Sequence, residues 1–123
     1  MTTSRRRLGD LGENVAASYL EGLGHRILAR NWQSSHLEID IISEDADGIH
    51  FVEVKSRTAP VSAAPEVNVT AIKQKRLTGA ALSWLHRFGR ESAEVFFDVV
   101  TVVFDGGKTG IEYYKQAFVP MYL

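Results

Sequence analysis

Charged residues interrupt two apolar, strand-like segments in the middle of this chain. Asp40 lies within Glu-Ile-Asp-Ile-Ile, and Glu53 and Lys55 lie within Phe-Val-Glu-Val-Lys. Burial of an ionised side chain among Ile, Val and Phe is strongly unfavourable unless a partner compensates its charge. A divalent cation held for phosphodiester chemistry is the partner that best suits two carboxylates and an ammonium group. The first expectation is therefore a sheet that carries a metal centre.

Side-chain alternation along the strands decides which of these groups can meet. Glu53 and Lys55 are two residues apart, so they share one face of their strand. If the two strands pair through the turn at residues 44–48, Asp40 lies opposite Val52 or Glu53. A slip of one residue brings the two carboxylates together or apart. Two adjacent carboxylates repel each other, and one takes up a proton unless a cation lies between them.

The donor types indicate a hard cation. Magnesium binds carboxylate, carbonyl and water oxygens, so Asp40 and Glu53 are predicted to hold Mg²⁺ or Mn²⁺ with the carbonyl of Val54. Lys55 is predicted to orient the attacking water or to neutralise charge on the phosphoryl group. The alternative is an exposed Glu-Lys pair, which is the better interpretation of an isolated Glu-x-Lys.

Composition limits the class of protein. The 123 residues suit one domain, which we assign to 1–123 with residues 1–5 disordered. The absence of cysteine excludes disulfides, cysteine-ligated zinc and a cysteine nucleophile, and fits a cytoplasmic location. The apolar runs are much shorter than the ~20 residues of a membrane span. No apolar segment follows the basic N-terminus, so a secretory signal is not expected.

Charge is segregated along the chain although the net charge is only −1. Residues 31–54 contain six acids and no Lys or Arg, whereas residues 55–90 contain seven bases and one acid. One interpretation is a metal site beside a phosphate-binding surface. The other is a pair of separate solvated faces.

Periodicity predicts an α/β fold with the order αβββαββ and a mixed central sheet flanked by helices. Helices are expected at 6–23 and 70–88, and strands at 25–32, 37–43, 49–56, 95–104 and 111–118. The first helix has an apolar stripe at Leu8, Leu11, Val15, Tyr19 and Leu23. The second has a stripe at Lys73, Leu77, Ala81, Trp84 and Phe88.

Several segments together resemble the YraN-like family of bacterial proteins. They are Gly12-Glu13, Asn31, residues 38–42, residues 51–57, Lys73 and residues 97–100. That family is similar to the PD-(D/E)xK nucleases, particularly archaeal Holliday junction resolvases. The resemblance implies a restriction-endonuclease-like fold with Asp40, Glu53 and Lys55 at the motif positions. It also implies that Glu13 joins the site as a further acid, although a solvated helix glutamate is the alternative.

The function implied is metal-dependent hydrolysis of DNA, branched or single-stranded, with RNA also open as a substrate. Arg57, Lys73, Lys75 and Arg76 are predicted to bind nucleic-acid phosphates, and the resemblance allows a homodimer. A surface charge is the alternative for Arg57, and an ammonium group that extends to solvent is the alternative for Lys73. The alternative function is a non-catalytic module that binds nucleic acid or protein.

Some positions depart from the family pattern or lie outside it. Leu37 lies where the family usually has Gly, and Ile39 lies where the superfamily has the Pro of its name. Phe96 lies where the family usually has an Arg, which could have paired with Asp98. Asp98 is expected to have a structural role, by pairing with an arginine or capping backbone amides. The four histidines (His25, His36, His50 and His86) show no metal-ligand spacing and are interpreted as scattered surface or strand residues.

Overall fold

The computed structural model describes residues 5–60 and 67–120, in which two helices pack on opposite faces of one five-stranded sheet. The elements are α1 (Arg5–Gly22), β1 (Arg26–Ser34), β2 (Leu37–Glu44), β3 (Ile49–Thr58), α2 (Ala71–Arg87), β4 (Val95–Asp105) and β5 (Lys108–Phe118). The predicted order αβββαββ is confirmed. Residues 1–4 lie outside the described part, whereas Arg5, which we expected to be disordered, is the first residue of α1.

The strands lie in the order β1-β2-β3-β4-β5. The pair β3–β4 is parallel and the other three pairs are antiparallel, so the sheet is mixed as predicted. The parallel pair follows from the crossover through α2, because a tight turn joins only antiparallel neighbours. β3 pairs with β4 along its whole length, but with β2 only from Ile49 to Val52. Beyond Val52 the strands β2 and β3 diverge, and a space opens between them.

Each face of the sheet has its own apolar cluster. On the α2 face, Ile42, Phe51, Trp84 and Phe97 belong to one buried group. The other group, on the α1 face, contains Ala16, Leu20, Ile41, Val52, Val100 and Val102. Phe51 and Val52 are neighbours on β3 and belong to different clusters, as strand alternation requires.

The stripe predicted for α1 is wrong for Leu11 and Leu23, whereas Val15 packs against the cluster on the α1 face. The helix buries Gly12, Glu13, Ala16, Ala17 and Leu20, whereas Leu11 and Leu23 are 41% and 52% exposed. The small residues let the helix lie close to the sheet. A Cβ built on Gly12 would be 1.7 Å from Oγ of Ser56 in β3, so close contact requires glycine there. This packing also carries Glu13 to the buried side of the helix.

α2 begins after the N-cap residue Thr70, whose side chain accepts a hydrogen bond from the backbone amide of Lys73. From the predicted stripe, Leu77, Ala81 and Trp84 do pack on the sheet. The prediction is wrong for Phe88, which follows the helix and is 51% exposed. Lys73, in the first turn of α2, has a side chain that is 53% exposed and lines a cleft beside the sheet.

Differences at the element boundaries are small. β1 extends through Ser34, two residues beyond its predicted end, and the turn that follows lies at Ser35-His36. The segment between the third predicted strand and the second predicted helix falls partly outside the described residues. No helix in the described part of the chain is long and apolar enough to cross a membrane.

Candidate functional site

Asp40 and Glu53 meet where β2 and β3 separate. The register of the hairpin ends at the pair Ile41 and Val52, so Asp40 and Glu53 are the next residues along the two strands. Both line one cleft of about 510 Å³ between the sheet and α2. The Oδ2 atom of Asp40 accepts a hydrogen bond of 2.8 Å from the backbone amide of Val54. The structure therefore brings together the two carboxylates for which the sequence left the register open.

Asp40 lies in an environment that opposes its ionisation. Burial raises the pKa of its carboxyl group from 3.8 to about 6, and the Val54 amide only partly opposes this rise. The negative charges of Glu53, Glu13 and Glu38 raise the pKa further. A cation bound among these acids would offset their negative charges and favour the ionised form of Asp40.

The two carboxylate oxygens of Glu53 differ in whether they have an interaction partner. The side chain is 8% exposed, and its Oε1 atom pairs with the ammonium group of Lys73. Its Oε2 atom is buried and has no hydrogen-bond partner among the residues that the structure describes. An unsatisfied buried carboxylate oxygen is costly, and coordination of a hard cation would satisfy it. The donor set of Asp40 and Glu53 therefore fits Mg²⁺ or Mn²⁺.

Glu13 approaches Asp40 from the α1 side and is only 6% exposed. Its Oε1 atom accepts hydrogen bonds from Asn31 Nδ2 at 2.9 Å and from Arg30 Nε at 3.1 Å. Burial raises the pKa of Glu13, although Arg30 opposes the rise. With Asp40 and Val54 it lines a second cleft of about 490 Å³. Glu13 is therefore a buried acid beside the candidate site, not a solvated helix residue.

The two clefts share Asp40 and Glu38 and carry bases around the acids. Lys73, Arg76 and the N-cap residue Thr70 line the first cleft. Arg5 and Arg6 line the second. Residues of the acidic block (Glu38, Asp40, Glu53) and of the basic block (Lys73, Arg76) thus line the same cleft.

The remaining predicted residues lie at different distances from the clefts. Lys55 lies on the strand face of Glu53, and its Nζ atom donates to the carbonyl of Asn68 at 3.4 Å. Arg57 is exposed, donates to the Ser56 carbonyl at 2.9 Å and lines a neighbouring depression. Lys75 is exposed and lies outside both clefts.

Sequence reasoning missed four residues of this region. Glu38 faces both clefts, and its place two residues before Asp40 was the signal that could have found it. No comparable feature of the sequence indicates that Arg5, Arg6 and Arg30 lie near the site. Their position depends on how closely α1 packs against the sheet, which the pattern of large apolar residues did not reveal.

A second polar cluster lies on the α1 face of the sheet. The interpretation of the histidines as scattered is wrong for His25 and His50, which are both buried with ring centroids 4.5 Å apart. His50 Nδ1 lies 2.6 Å from Asp98 Oδ2, and His50 Nε2 lies 2.8 Å from Asp45 Oδ1. Asp98 also accepts from the amide of Gln116 at 2.9 Å. Asp98 thus contacts a histidine and not the expected arginine, and it caps a backbone amide as expected.

The comparison with protein families gives a clear result. The profile of the uncharacterised protein family UPF0102 matches residues 12–102, which include Glu13, Asp40, Glu53 and Lys55. The chain belongs to UPF0102. This confirms the resemblance to the YraN-like family.

Relatives of similar length support the assignment. A UPF0102 protein of Geobacter metallireducens is 39% identical over 118 residues, which are 96% of this chain and 97% of the relative. One from Bacteroides thetaiotaomicron is 39% identical over 92% of this chain and 93% of its own. One from Mycolicibacterium vanbaalenii is 44% identical over 82% of this chain and 84% of its own. The UPF0102 match thus extends over nearly the whole chain.

Proposed function

We propose that this UPF0102 protein is a divalent-metal-dependent nuclease that hydrolyses phosphodiester bonds in DNA. One observation carries the proposal. A buried oxygen of Glu53 has no partner in the described structure, and it lies in the same cleft as Asp40, whose pKa is raised to about 6. The ionised forms of these two acids are unfavourable in this cleft without a cation, and basic residues at the N-terminus of α2 lie beside them. Such an arrangement suits the metal site of a phosphodiesterase.

The metal would be held by Asp40, Glu53 and the carbonyl of Val54, with Glu13 as a further acid. When bound, Mg²⁺ or Mn²⁺ would polarise the phosphodiester and lower the pKa of the attacking water. Asp40 must be ionised to serve as a ligand. Metal binding is therefore expected to weaken as the pH falls through about 6.

Lys73 has a double role in this proposal. In the structure its ammonium group pairs with Glu53 and supplies the positive charge that the carboxylate needs. With a cation bound beside Glu53, Lys73 would be able to turn its ammonium group toward a substrate phosphate in the same cleft. Its exposed side chain at the first turn of α2 has room for this rotation.

Lys55 would act on the water. It points from the same face of β3 as Glu53, and its contact with the Asn68 carbonyl holds the ammonium group beside the loop before α2. There it can orient the attacking water and stabilise the negative charge that develops on the phosphoryl oxygens.

The phosphate-binding surface would extend from the N-terminus of α2. Arg76 lines the cleft with Lys73, and the N-terminus of α2 adds the positive end of the helix dipole. Arg57 and Lys75 are exposed outside the cleft and would contact the backbone of a longer substrate. The overall charge of −1 means that binding depends on this local surface. Cytoplasmic location and a homodimer stay predictions.

The test is a cleavage assay on labelled DNA junctions, flaps, single strands and duplexes with Mg²⁺ or Mn²⁺. Wild type is compared with Lys55→Ala, Glu53→Gln and the control Lys108→Ala, which changes an exposed lysine at the start of β5. Cleavage that is lost in the first two and kept in the control supports the proposal. Salt-sensitive DNA binding that survives Asp40→Asn, without cleavage of any substrate, would favour the non-catalytic alternative.

A further inference from the structure

We infer that His25, Asp45 and His50 form a second metal site, which binds a borderline transition cation such as Zn²⁺. The three side chains each offer one ligand atom, and these atoms lie within 4.8 Å of one another. Two imidazoles and one carboxylate make a donor set that favours zinc over magnesium. This inference does not depend on the proposed nuclease function.

The site is separate from the Asp40 and Glu53 cleft. His50 and Glu53 are three residues apart on β3 and point to opposite faces, so they are separated by about 10 Å along the strand. His25 follows the end of α1, and Asp45 lies in the turn between β2 and β3. The cation would therefore join three segments of the chain at the α1 face of the sheet.

The distances between the donor atoms suit a single ion. Asp45 Oδ1 lies 2.8 Å from His50 Nε2, and Asp45 Oδ2 lies 3.4 Å from His25 Nε2. Ligand atoms about 2.0–2.1 Å from a tetrahedral zinc ion are roughly 3.3 Å apart. The three donor atoms, now within 4.8 Å of one another, would have to approach to this spacing, and Asp45, whose side chain is 20% exposed in a turn, is the most accessible of the three.

The outer contacts of both imidazoles match those of metal-binding histidines. A metal-bound histidine commonly uses its second ring nitrogen to contact a carboxylate, carbonyl or other polar group that fixes the ring. Here His50 Nδ1 lies 2.6 Å from Asp98 Oδ2, and His25 Nδ1 lies 2.9 Å from Ser43 Oγ. Both Nε2 atoms are thereby directed toward Asp45.

The outer partners are themselves held in place. Asp98 accepts hydrogen bonds from the hydroxyl of Tyr113 and from the amide of Gln116. Asp45, one of the three proposed ligands, accepts from the amides of Asp47 and Gly48 at 3.0 and 3.3 Å, which hold its side chain near the turn. The arrangement is thus built before any ion binds, and three protein ligands leave a fourth position for water or another ligand.

The experiment uses tag-free, full-length protein that has been stripped of metal and is titrated with Zn²⁺ in excess Mg²⁺, which keeps the carboxylate cleft occupied. Calorimetry is expected to give one Zn²⁺ per chain, with affinity at least tenfold weaker in Asp45→Asn and His25→Gln. Ser43→Ala, which removes only an outer contact, is expected to weaken binding about tenfold. The control His86→Gln changes an exposed histidine outside the cluster and is expected to bind as wild type does.

Because the variants of buried residues can fail to fold, wild type is also titrated with Co²⁺ and its visible spectrum recorded. The intense ligand-field bands of a four-coordinate cobalt site are expected to form at one equivalent and to be removed by Zn²⁺. Absence of these bands, or equal Zn²⁺ affinity in all variants, would show that the cluster is a hydrogen-bonded network only. Loss of Zn²⁺ binding in Asp40→Asn alone would move the site to the other cleft and overturn the inference.

Discussion

Replacement of Asp40 by asparagine isolates the electrostatic cost of the candidate site. The amide oxygen of Asn can still accept the hydrogen bond that the Val54 amide donates to Asp40, so the change removes the charge and keeps the shape. Without metal, burial and three neighbouring acids disfavour the ionised carboxylate, and its pKa is therefore raised from 3.8 to about 6. This rise corresponds to about 3 kcal/mol at neutral pH.

The sign of the pH dependence follows from the raised pKa. The folded protein holds the Asp40 proton more tightly than the unfolded chain does, so this group stabilises the fold below pH ~4. That contribution is lost as the pH rises through about 6. Asn at this position does not titrate. Relative to wild type, the Asp40→Asn variant should therefore gain up to about 3 kcal/mol of unfolding free energy between pH 4 and pH 7.

The assay is urea unfolding in EDTA at several pH values, with the exposed Asp105→Asn variant as the control for simple removal of an acid. The difference between wild type and Asp40→Asn should grow with pH, and saturating Mg²⁺ should reduce it by stabilising wild type alone. A difference that stays constant from pH 4 to pH 7 would refute the assignment of a strained, ionisable Asp40.

Three further predictions concern the other parts of the site. Gly12→Ala should destabilise the fold by about 1–3 kcal/mol in urea unfolding, because the new methyl group overlaps Ser56, whereas Gly9→Ala, which meets no described atom within 4 Å, should be neutral or stabilising. Lys55→Ala should abolish cleavage and leave Mg²⁺ affinity largely unchanged in calorimetry; equal turnover would exclude a catalytic role. Lys73→Met should strengthen Mg²⁺ binding, because the ion pair that competes for Glu53 is lost. It should also lower the slope of log affinity for DNA against log salt concentration by about one, because one phosphate contact is lost. Weaker Mg²⁺ binding would contradict the double role of Lys73.

The order of the elements could be read from the sequence because its signals are local. Runs of β-branched residues mark β2, β3 and β4, and glycines follow both helices. The sequence left the register between β2 and β3 open by one residue, so it did not decide whether Asp40 and Glu53 meet. The turn between β2 and β3 decides it, since its amide-to-carbonyl hydrogen bond from Asp45 to Gly48 sets the register.

The parts that were missed depend on contacts between distant segments. The helix itself was predicted, but its buried face consists mostly of Gly and Ala, which carry little hydrophobic signal, so the large apolar residues Leu11 and Leu23 were wrongly assigned to that face. His25 and His50 are far apart in sequence and meet only because β1, β2 and β3 are adjacent in the sheet. No spacing rule for metal ligands describes such a pair.

The most direct test of the metal site is calorimetric titration of Mg²⁺ in the presence of a short DNA duplex. Lys55→Ala protein is used so that hydrolysis adds no heat, and it is compared with the Lys55→Ala, Asp40→Asn double variant. Mg²⁺ is chosen because it prefers oxygen ligands and should avoid the histidine cluster. Binding in the first protein and its loss in the second is the predicted result. Absence of binding in both, with DNA present to complete the ligands, would contradict a metal-dependent nuclease.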